Sequence, residues 1–513
     1  MGLLAAIALL AEVARMVRVP YPILLVLGGL ALGFVPGLPA PQLDPDTFFF
    51  FFLPPLLYSE AILFSTEDLK DHAAEISLLA VGLVVATTVA VAIIAHVVAD
   101  LPWAAAFVMG AVVGPTDPIS ATSVIRRLGV SERIVTILEG EALLNDGTAL
   151  VVYRLAVGAA GAAALSVGHA AVEFIWVSLG GAAVGAAIAW VWARINVWAR
   201  VPEVEITLSL LMPLGAYLLS EHLGVSGVLA TVTAGLMVGR RLNAVSPSAR
   251  LWGHGFWEVV AFLLNSTLFL LVGLSFPDVL DRLGTVSPGE LASSATAIAA
   301  AVMVLRLVWM FLMPRVIAVL EERKSGRPHA GELLVLGWSG MRGGVSLAAA
   351  LSIPITVDGQ PFPGRDKIIF LTYMVLLATL VLPGLTLGPL VNALGVGTGQ
   401  DHAGTEARAR EHILRAALEH IDELADSNQL PEGIAADLRA LYDARLSGLP
   451  ATAQPATPDA DGNLEAALRA RRGVIGAERE ALAELQEAGR VGIRTARQIE
   501  RELEIELEST DAR

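Results

Sequence analysis

The sequence predicts an all-α polytopic membrane protein, with about thirteen transmembrane helices followed by a helical, acidic tail. Three observations carry this reading. Of 513 residues, 55 % are apolar and 17 % charged, whereas a soluble domain is about a quarter charged. The charges are segregated: apolar blocks of span length follow one another from Met1 to about Leu394, and polar sequence follows. Lysine and arginine also fall mainly in alternate loops between those blocks.

Each span is placed where about 20 predominantly apolar residues run together. Spans are expected near 2–17, 20–36, 47–64, 74–98, 103–127, 133–160, 168–193, 203–220, 223–240, 255–275, 290–314, 331–355 and 366–394. Counted with the adjoining span ends, loops after odd-numbered spans hold fifteen Lys/Arg, among them Arg15, Arg18, Lys70, Arg200, Arg323, Lys324 and Arg327; loops after even-numbered spans hold four, Arg154, Arg282, Arg365 and Lys367. Positive charge stays on the cytoplasmic side. The N-terminus is therefore expected outside and the tail inside, in the cell membrane. Two further arginines, Arg306 and Arg342, fall within spans eleven and twelve.

Two spans should break. Span five contains Gly114, Pro115 and Pro118, and span twelve contains Gly337, Gly340, Gly343 and Gly344; proline removes a backbone donor, and glycine weakens a helix. Broken helices in a bilayer are tolerated only where protein or a water-filled cavity satisfies the freed groups, and paired breaks point to a transport site. The fifth and twelfth spans are seven apart. An odd offset implies two inverted six-helix repeats, spans 1–6 and 8–13, with span seven as a linker and the two discontinuous helices meeting mid-membrane.

Ionisable residues inside a membrane are costly and mark function. Glu60 sits in span three, Asp117 at the span-five break, and Glu139, Glu141, Asn145 and Asp146 in span six. On a helix Ala142 and Asp146 share one face, and Glu141 and Asn145 share another about 100° away. Asp146 can then face an ion site while Glu141 faces a neighbouring helix, with Arg342 at the other break as its expected partner. Arg306 is read as structural, bonded to free carbonyls. The oxygens of Asp146, Asp117, Thr116 and Asn145 suit a small hard cation. Without cysteine, and without histidine in this cluster, a transition metal is disfavoured. No phosphate-binding glycine loop is visible, so neither nucleotide nor cofactor is expected; no nucleophile–base constellation supports an enzyme.

The segments "LPPLLYSEAI" from Leu53, "GPTDP" from Gly114, "EGEALLNDGTALVVY" from Glu139 and "GMRGGVSLA" from Gly340 resemble the signature segments of the cation:proton antiporters, in the sodium/proton exchanger (NhaP/NHE-type) branch. The resemblance covers about residues 1–395. It implies thirteen helices in inverted repeats, a homodimer, and a six-helix core with two unwound segments that cross. It also implies that Asp146 is the cation- and proton-binding carboxylate and that Asn145 marks the electroneutral branch. Asp117 would act through water, the Thr116 carbonyl and Glu60 would be ligands, and Glu141 and Arg342 would form an inter-helix ion pair. One departure stands out: Ala142 occupies a position where many members carry a ligating serine, which leaves sodium, lithium or potassium open as the ion. A potassium/proton antiporter, a cation channel and a non-transporting sensor are the alternatives.

Residues 396–513 are expected as a separate cytoplasmic tail. From residue 397 onward it holds fourteen Lys/Arg and twenty-three Asp/Glu, a net charge of −9, which disfavours nucleic acid as a partner. Helical apolar spacing occurs at Ile413, Leu414, Ala417, Leu418, Ile421 and Leu424, and again at Ile499, Leu503 and Leu507. A linker is expected near 446–463.

Overall fold

The computed structural model describes residues 2–17, 19–36, 45–161, 167–196, 198, 201–241, 247–283, 287–320, 329–357, 359–396, 402–427, 430–447, 463–487 and 493–511. It divides into two compact units, Met1–Gly399 and Gln400–Arg513.

The first unit opens with α1 (Gly2–Val17), α2 (Tyr21–Gly33), α3 (Pro45–Leu63) and the short α4 (Thr66–Asp71). α5 (Ala73–Ser77) continues through a π-helical turn into α6 (Val84–Val98). α7 (Trp103–Val112) and α8 (Pro118–Arg127) are two halves of one broken helix. Then come α9 (Glu132–Gly161), α10 (Val167–Asn196), α11 (Pro202–His222), α12 (Gly227–Gly239), α13 (Pro247–Leu274), α14 (Phe276–Arg282) and α15 (Pro288–Leu320). The second broken helix is α16 (Ala330–Trp338) and α17 (Gly344–Leu351), followed by a small antiparallel hairpin, β1 (Thr356–Val357) with β2 (Gln360–Pro361), and by α18 (Arg365–Leu394).

Every apolar segment named above falls on helix, and both breaks fall where proline and glycine put them. Among the described residues, six helices are by themselves long and apolar enough to cross a membrane. α9 has the length, with 30 residues, but its carboxyls lower its hydropathy. Three stretches expected as loop are ordered: α4, α14 and the hairpin. α13 starts at Pro247, ahead of the expected 255, because its first two turns are polar and hydropathy alone overlooks them. Local chemistry sets several ends. The Ser226 hydroxyl accepts from the Leu229 amide at 3.2 Å to start α12, and Gly395, at φ +65°, closes α18. Arg18, Arg200, Arg323, Lys324 and Arg327 lie outside the described residues.

Small residues set the tightest contacts. On α2, a Cβ at Gly29 would lie 2.3 Å from the Leu270 carbonyl oxygen of α13, and one at Gly33 would lie 2.9 Å from that of Leu274. On α12, a Cβ at Gly235 would lie 2.6 Å from Ala61 of α3, and one at Gly239 would lie 2.6 Å from the Ile62 carbonyl oxygen. Each helix thus presents two glycines four residues apart, which lets backbones approach without a clash. The main core forms around α6, α7, α9, α15 and α18, with Val108, Met109, Ile298, Val302, Leu371 and Leu376 fully enclosed.

Among the described residues, the second unit has four helices: α19 (His402–Asp426), α20 (Glu432–Leu446), α21 (Asn463–Glu487) and α22 (Ile493–Asp511). Of the expected linker, residues 448–462 lie outside the described residues. The predicted apolar stripes pack inward: Ile413, Ala417, Ile421, Ile499 and Leu503 are buried, with Leu414, Leu418, Leu424 and Leu507 packed against them. A polar cluster crosses this core. The Tyr442 hydroxyl donates to Glu478 at 3.2 Å, and Arg445 and Arg471 both donate to Glu506.

Burial, reinforced by the nearby Glu506 carboxylate, pushes the Glu478 carboxyl up from 4.5 to about 7, against the opposing pull of Arg445 and of the Tyr442 hydrogen bond. A carboxyl raised on folding favours the protonated folded form, so the contribution of Glu478 to tail stability is fully present below about pH 4.5, falls as pH rises to about 7, and is lost above. The expected loss is about 3 kcal/mol. Hydrogen-exchange protection factors of the α20 and α21 amides, compared at pH 5 and pH 8, should show that drop in the wild type and a flat profile in Glu478→Gln.

Candidate functional site

The two breaks touch. The Asp117 amide donates to the Met341 carbonyl at 2.8 Å, which ties one interruption to the other. A Cβ at Gly343 would lie 2.6 Å from the Asp117 carboxylate, so only glycine fits there. Asp117 also caps α8, its Oδ1 accepting from the Ile119 amide at 2.9 Å. Pro118 follows at the first helical position, where its missing N–H has no consequence.

Thr116 is the hub of a buried network. Its hydroxyl donates to Glu141 Oε1 at 2.8 Å, while Asn145 Nδ2 donates to that hydroxyl at 2.9 Å and to the Thr116 carbonyl at 3.2 Å. Asn145 therefore acts as a donor clamp on the unwound segment. An aspartate there, being acceptor-only when ionised, could not make either bond.

Glu141 pairs with Arg306 of α15, not with Arg342. Arg306 Nη1 and Nη2 take the two Glu141 oxygens in a fork, Nη2 to Oε2 at 2.8 Å, and Nη2 also reaches the Leu336 carbonyl at 3.3 Å. Glu141, Arg306 and Arg342 are each 1 % exposed, so none can rely on solvent for its charge. Arg342 turns to backbone instead, donating to Val113 O at 3.2 Å and Gly340 O at 2.8 Å. The two arginines have exchanged the roles the sequence suggests, and Gly340 is the physical reason. A Cβ there would lie 2.1 Å from Arg306 Cδ. Glycine leaves the slot through which Arg306 reaches α9.

Beside this network is a cavity of about 40 Å³, room for a few water-sized occupants, since one water needs roughly 10–15 Å³. Glu60 of α3, Thr116 and Asp117 of the first break, and Asp146 of α9 line it together. Asp146, Asp117 and Glu60 are each partly accessible, while Glu141 is sealed. Asn145 lies behind the wall. Ala142 presents a methyl group to the cavity, and Leu53, Leu56, Leu57 and Leu268 supply its apolar lining. Two polar residues that the sequence reading overlooks also line it: Asn265 of α13 and Ser346 of α17. A carboxamide inside "FLLNSTLFLLVG" was the available signal for Asn265. Glu139, left without a role above, pairs with Arg126 of α8.

Chemically, the site offers carboxylate, carbonyl and hydroxyl oxygens around a small space, with no nitrogen or sulfur ligand among the residues named. That suits a hard cation or a proton.

Residues 2–393 match a family model described as sodium/hydrogen exchanger, transmembrane. The chain is 32 % identical to an uncharacterized Na(+)/H(+) exchanger of Mycobacterium bovis, over 98 % of this chain and 95 % of that one. It is 31 % identical to the sodium, potassium, lithium and rubidium/H(+) antiporter of Bacillus subtilis, over 93 % of this chain and 72 % of that one. Its fold is similar to that of the sodium proton antiporter MjNhaP1 from Methanocaldococcus jannaschii, with a TM-score of 0.57 at 20 % identity, over 77 % of this chain and 97 % of that one.

Removing one partner of the buried pair should destabilise by about 3–5 kcal/mol. A double-mutant cycle read by thermal unfolding in detergent distinguishes the two arginines. Glu141→Ala with Arg306→Met should show coupling larger by at least ~1 kcal/mol than Glu141→Ala with Arg342→Met; equal couplings would return Arg342 to the role of partner.

Proposed function

The chain belongs to the sodium/hydrogen exchanger family, and from that premise we propose that it exchanges a cytoplasmic monovalent cation for a proton at Asp146. It is a membrane-embedded, multi-pass transporter of that family rather than an enzyme. The observation that carries the proposal is the division between the two carboxyls of α9. Glu141 is neutralised by Arg306, whereas Asp146 opens into the cavity with Asp117, Thr116 and Glu60.

A charge held in a low-dielectric cavity is costly without a counter-ion. Asp146 is therefore occupied by a cation or by a proton, never both. A cation arriving from the cytoplasm displaces the proton, with Glu60, the Thr116 carbonyl and, through water, Asp117 completing its shell. The core then moves against the rest of the bundle and opens the cavity to the other side. There the cation leaves, a proton replaces it, and the return completes the cycle. The proton gradient drives cation out of the cell, for pH and sodium homeostasis. One carboxylate changes partner beside a neutral Asn145, so the exchange is electroneutral, one cation for one proton. No cofactor takes part.

Internal packing supports two inverted repeats within a thirteen-span domain. The second span of one half, α2, packs its glycine pair on the third span of the other half, α13; the reciprocal contact is α12 on α3. The broken helices α7–α8 and α16–α17 occupy matching fifth places. A homodimer in the cell membrane is part of the same reading. The exposed apolar face of α10, with Ile175, Trp176 and Leu179, is suited to lipid or to a second copy. The loop charges support an external N-terminus and a cytoplasmic tail.

Sodium, and lithium with it, is the first expectation for the ion. Potassium is the second reading, favoured by the Ala142 methyl in the cavity wall and by the name of the Bacillus subtilis relative. In liposomes with an acid interior, external sodium or lithium should alkalinise the lumen, and Asp146→Asn should abolish the response while the protein stays folded. Exchange retained by Asp146→Asn would refute the assignment. A response to potassium alone would reassign the ion.

A further inference from the structure

The oxygens assigned to the ion so far come from α3, from the first break and from α9. The second broken helix also reaches the cavity, through Ser346 in the first turn of α17. Its amide donates to the Gly343 carbonyl at 3.3 Å, which fixes the residue next to the break. The side chain is 2 % exposed, and its Oγ has no hydrogen-bond partner among the described residues.

Several hydroxyls near the site return to a carbonyl one turn back: Ser59 to Leu56, Thr122 to Pro118, Ser339 to Val335 and Ser352 to Ala349. Others, such as Ser120 of α8 and Ser266 of α13, are buried and, among the described residues, unbonded like Ser346, but they do not line the cavity. A buried hydroxyl left unbonded is destabilising, and native structures rarely keep one without a reason. Ala142, which lines the same cavity, stands one turn before Asp146 and has only a methyl group to offer.

We propose that Ser346 Oγ is a ligand of the transported cation, supplying from α17 the hydroxyl oxygen that Ala142 cannot supply from α9. This rests on the antiporter reading above and adds a residue to it. Both broken helices then hold the ion, so its arrival draws the two interruptions together. Serine does not titrate in the working range, so proton binding at Asp146 is left unchanged.

The test is cation-dependent thermal stabilisation of the purified full-length protein in detergent, with sodium, lithium and potassium chlorides as probes and liposome exchange run in parallel. Ser346→Ala should not lower the cation-free melting temperature, because it removes a buried, unbonded hydroxyl. It should raise the half-saturating cation concentration roughly five- to tenfold, the loss of about one polar contact. The pH at which protons suppress cation binding, extrapolated to low cation, should not move. Ala142→Ser added to Ser346→Ala should bring half-saturation back towards wild type. An unchanged half-saturation in Ser346→Ala overturns the proposal, as does a rise that Ala142→Ser leaves in place. Saturable wild-type binding without liposome exchange would count against the antiporter reading while leaving the ligand assignment testable; no saturable binding of any probe would overturn both.

Discussion

Breaking a helix in an apolar environment frees amides and carbonyls that water cannot reach, and meeting them organises this structure. Arg342 takes the Val113 and Gly340 carbonyls, Asn145 holds the Thr116 carbonyl, and the Asp117 amide takes that of Met341. Each bond crosses from one helix or break to another, except the Arg342 bond to Gly340. The same contacts that satisfy the backbone therefore also set the distance between the breaks. The Glu141–Arg306 pair extends the frame to α15, with the Thr116 hydroxyl hinging the two parts. Each member is buried, so removing one would strand the charge of the other.

This frame separates two kinds of carboxyl on a single helix. Glu141 and Asn145 lie on one face, where Glu141 and the Asn145 amide nitrogen are held in scaffold bonds; Asp146, a step round, is left to the cavity. Transport needs that asymmetry. A carboxylate permanently paired with an arginine cannot release its partner once per cycle, whereas one facing a small, oxygen-lined space can trade a cation for a proton. Asp117 sits between these roles, capping α8 with one oxygen while lining the cavity.

Much of this was legible in the sequence, because hydropathy and helix-breaking are local. Pro115, Pro118 and the glycines around Met341 locate both breaks, and the 3.6-residue period separates Asp146 from Glu141. Partner choice was not local. Arg342 is beside a break and Arg306 is buried in an apolar run, so proximity in sequence favoured Arg342. The true pairing depends on α15 lying against α16, and on Gly340 having no side chain to block Arg306. Asn265 and Ser346 were overlooked for a related reason. A single polar residue in an apolar helix declares its direction only once the neighbouring helices are in place. In the tail, amphipathic spacing was enough to foresee the buried stripes of α19 and α22, but not the Tyr442–Glu478 contact between α20 and α21.

The central claim is that one carboxylate, Asp146, holds a cation or a proton in turn. Proton release on cation binding tests it most directly. Purified protein in weakly buffered detergent solution near neutral pH would be mixed with sodium or lithium chloride, with the released protons read by an indicator dye and the bound cation measured in parallel. The account predicts about one proton released for each cation bound, and neither binding nor release in Asp146→Asn. Cation binding with no proton release, or release that persists in Asp146→Asn, would contradict it.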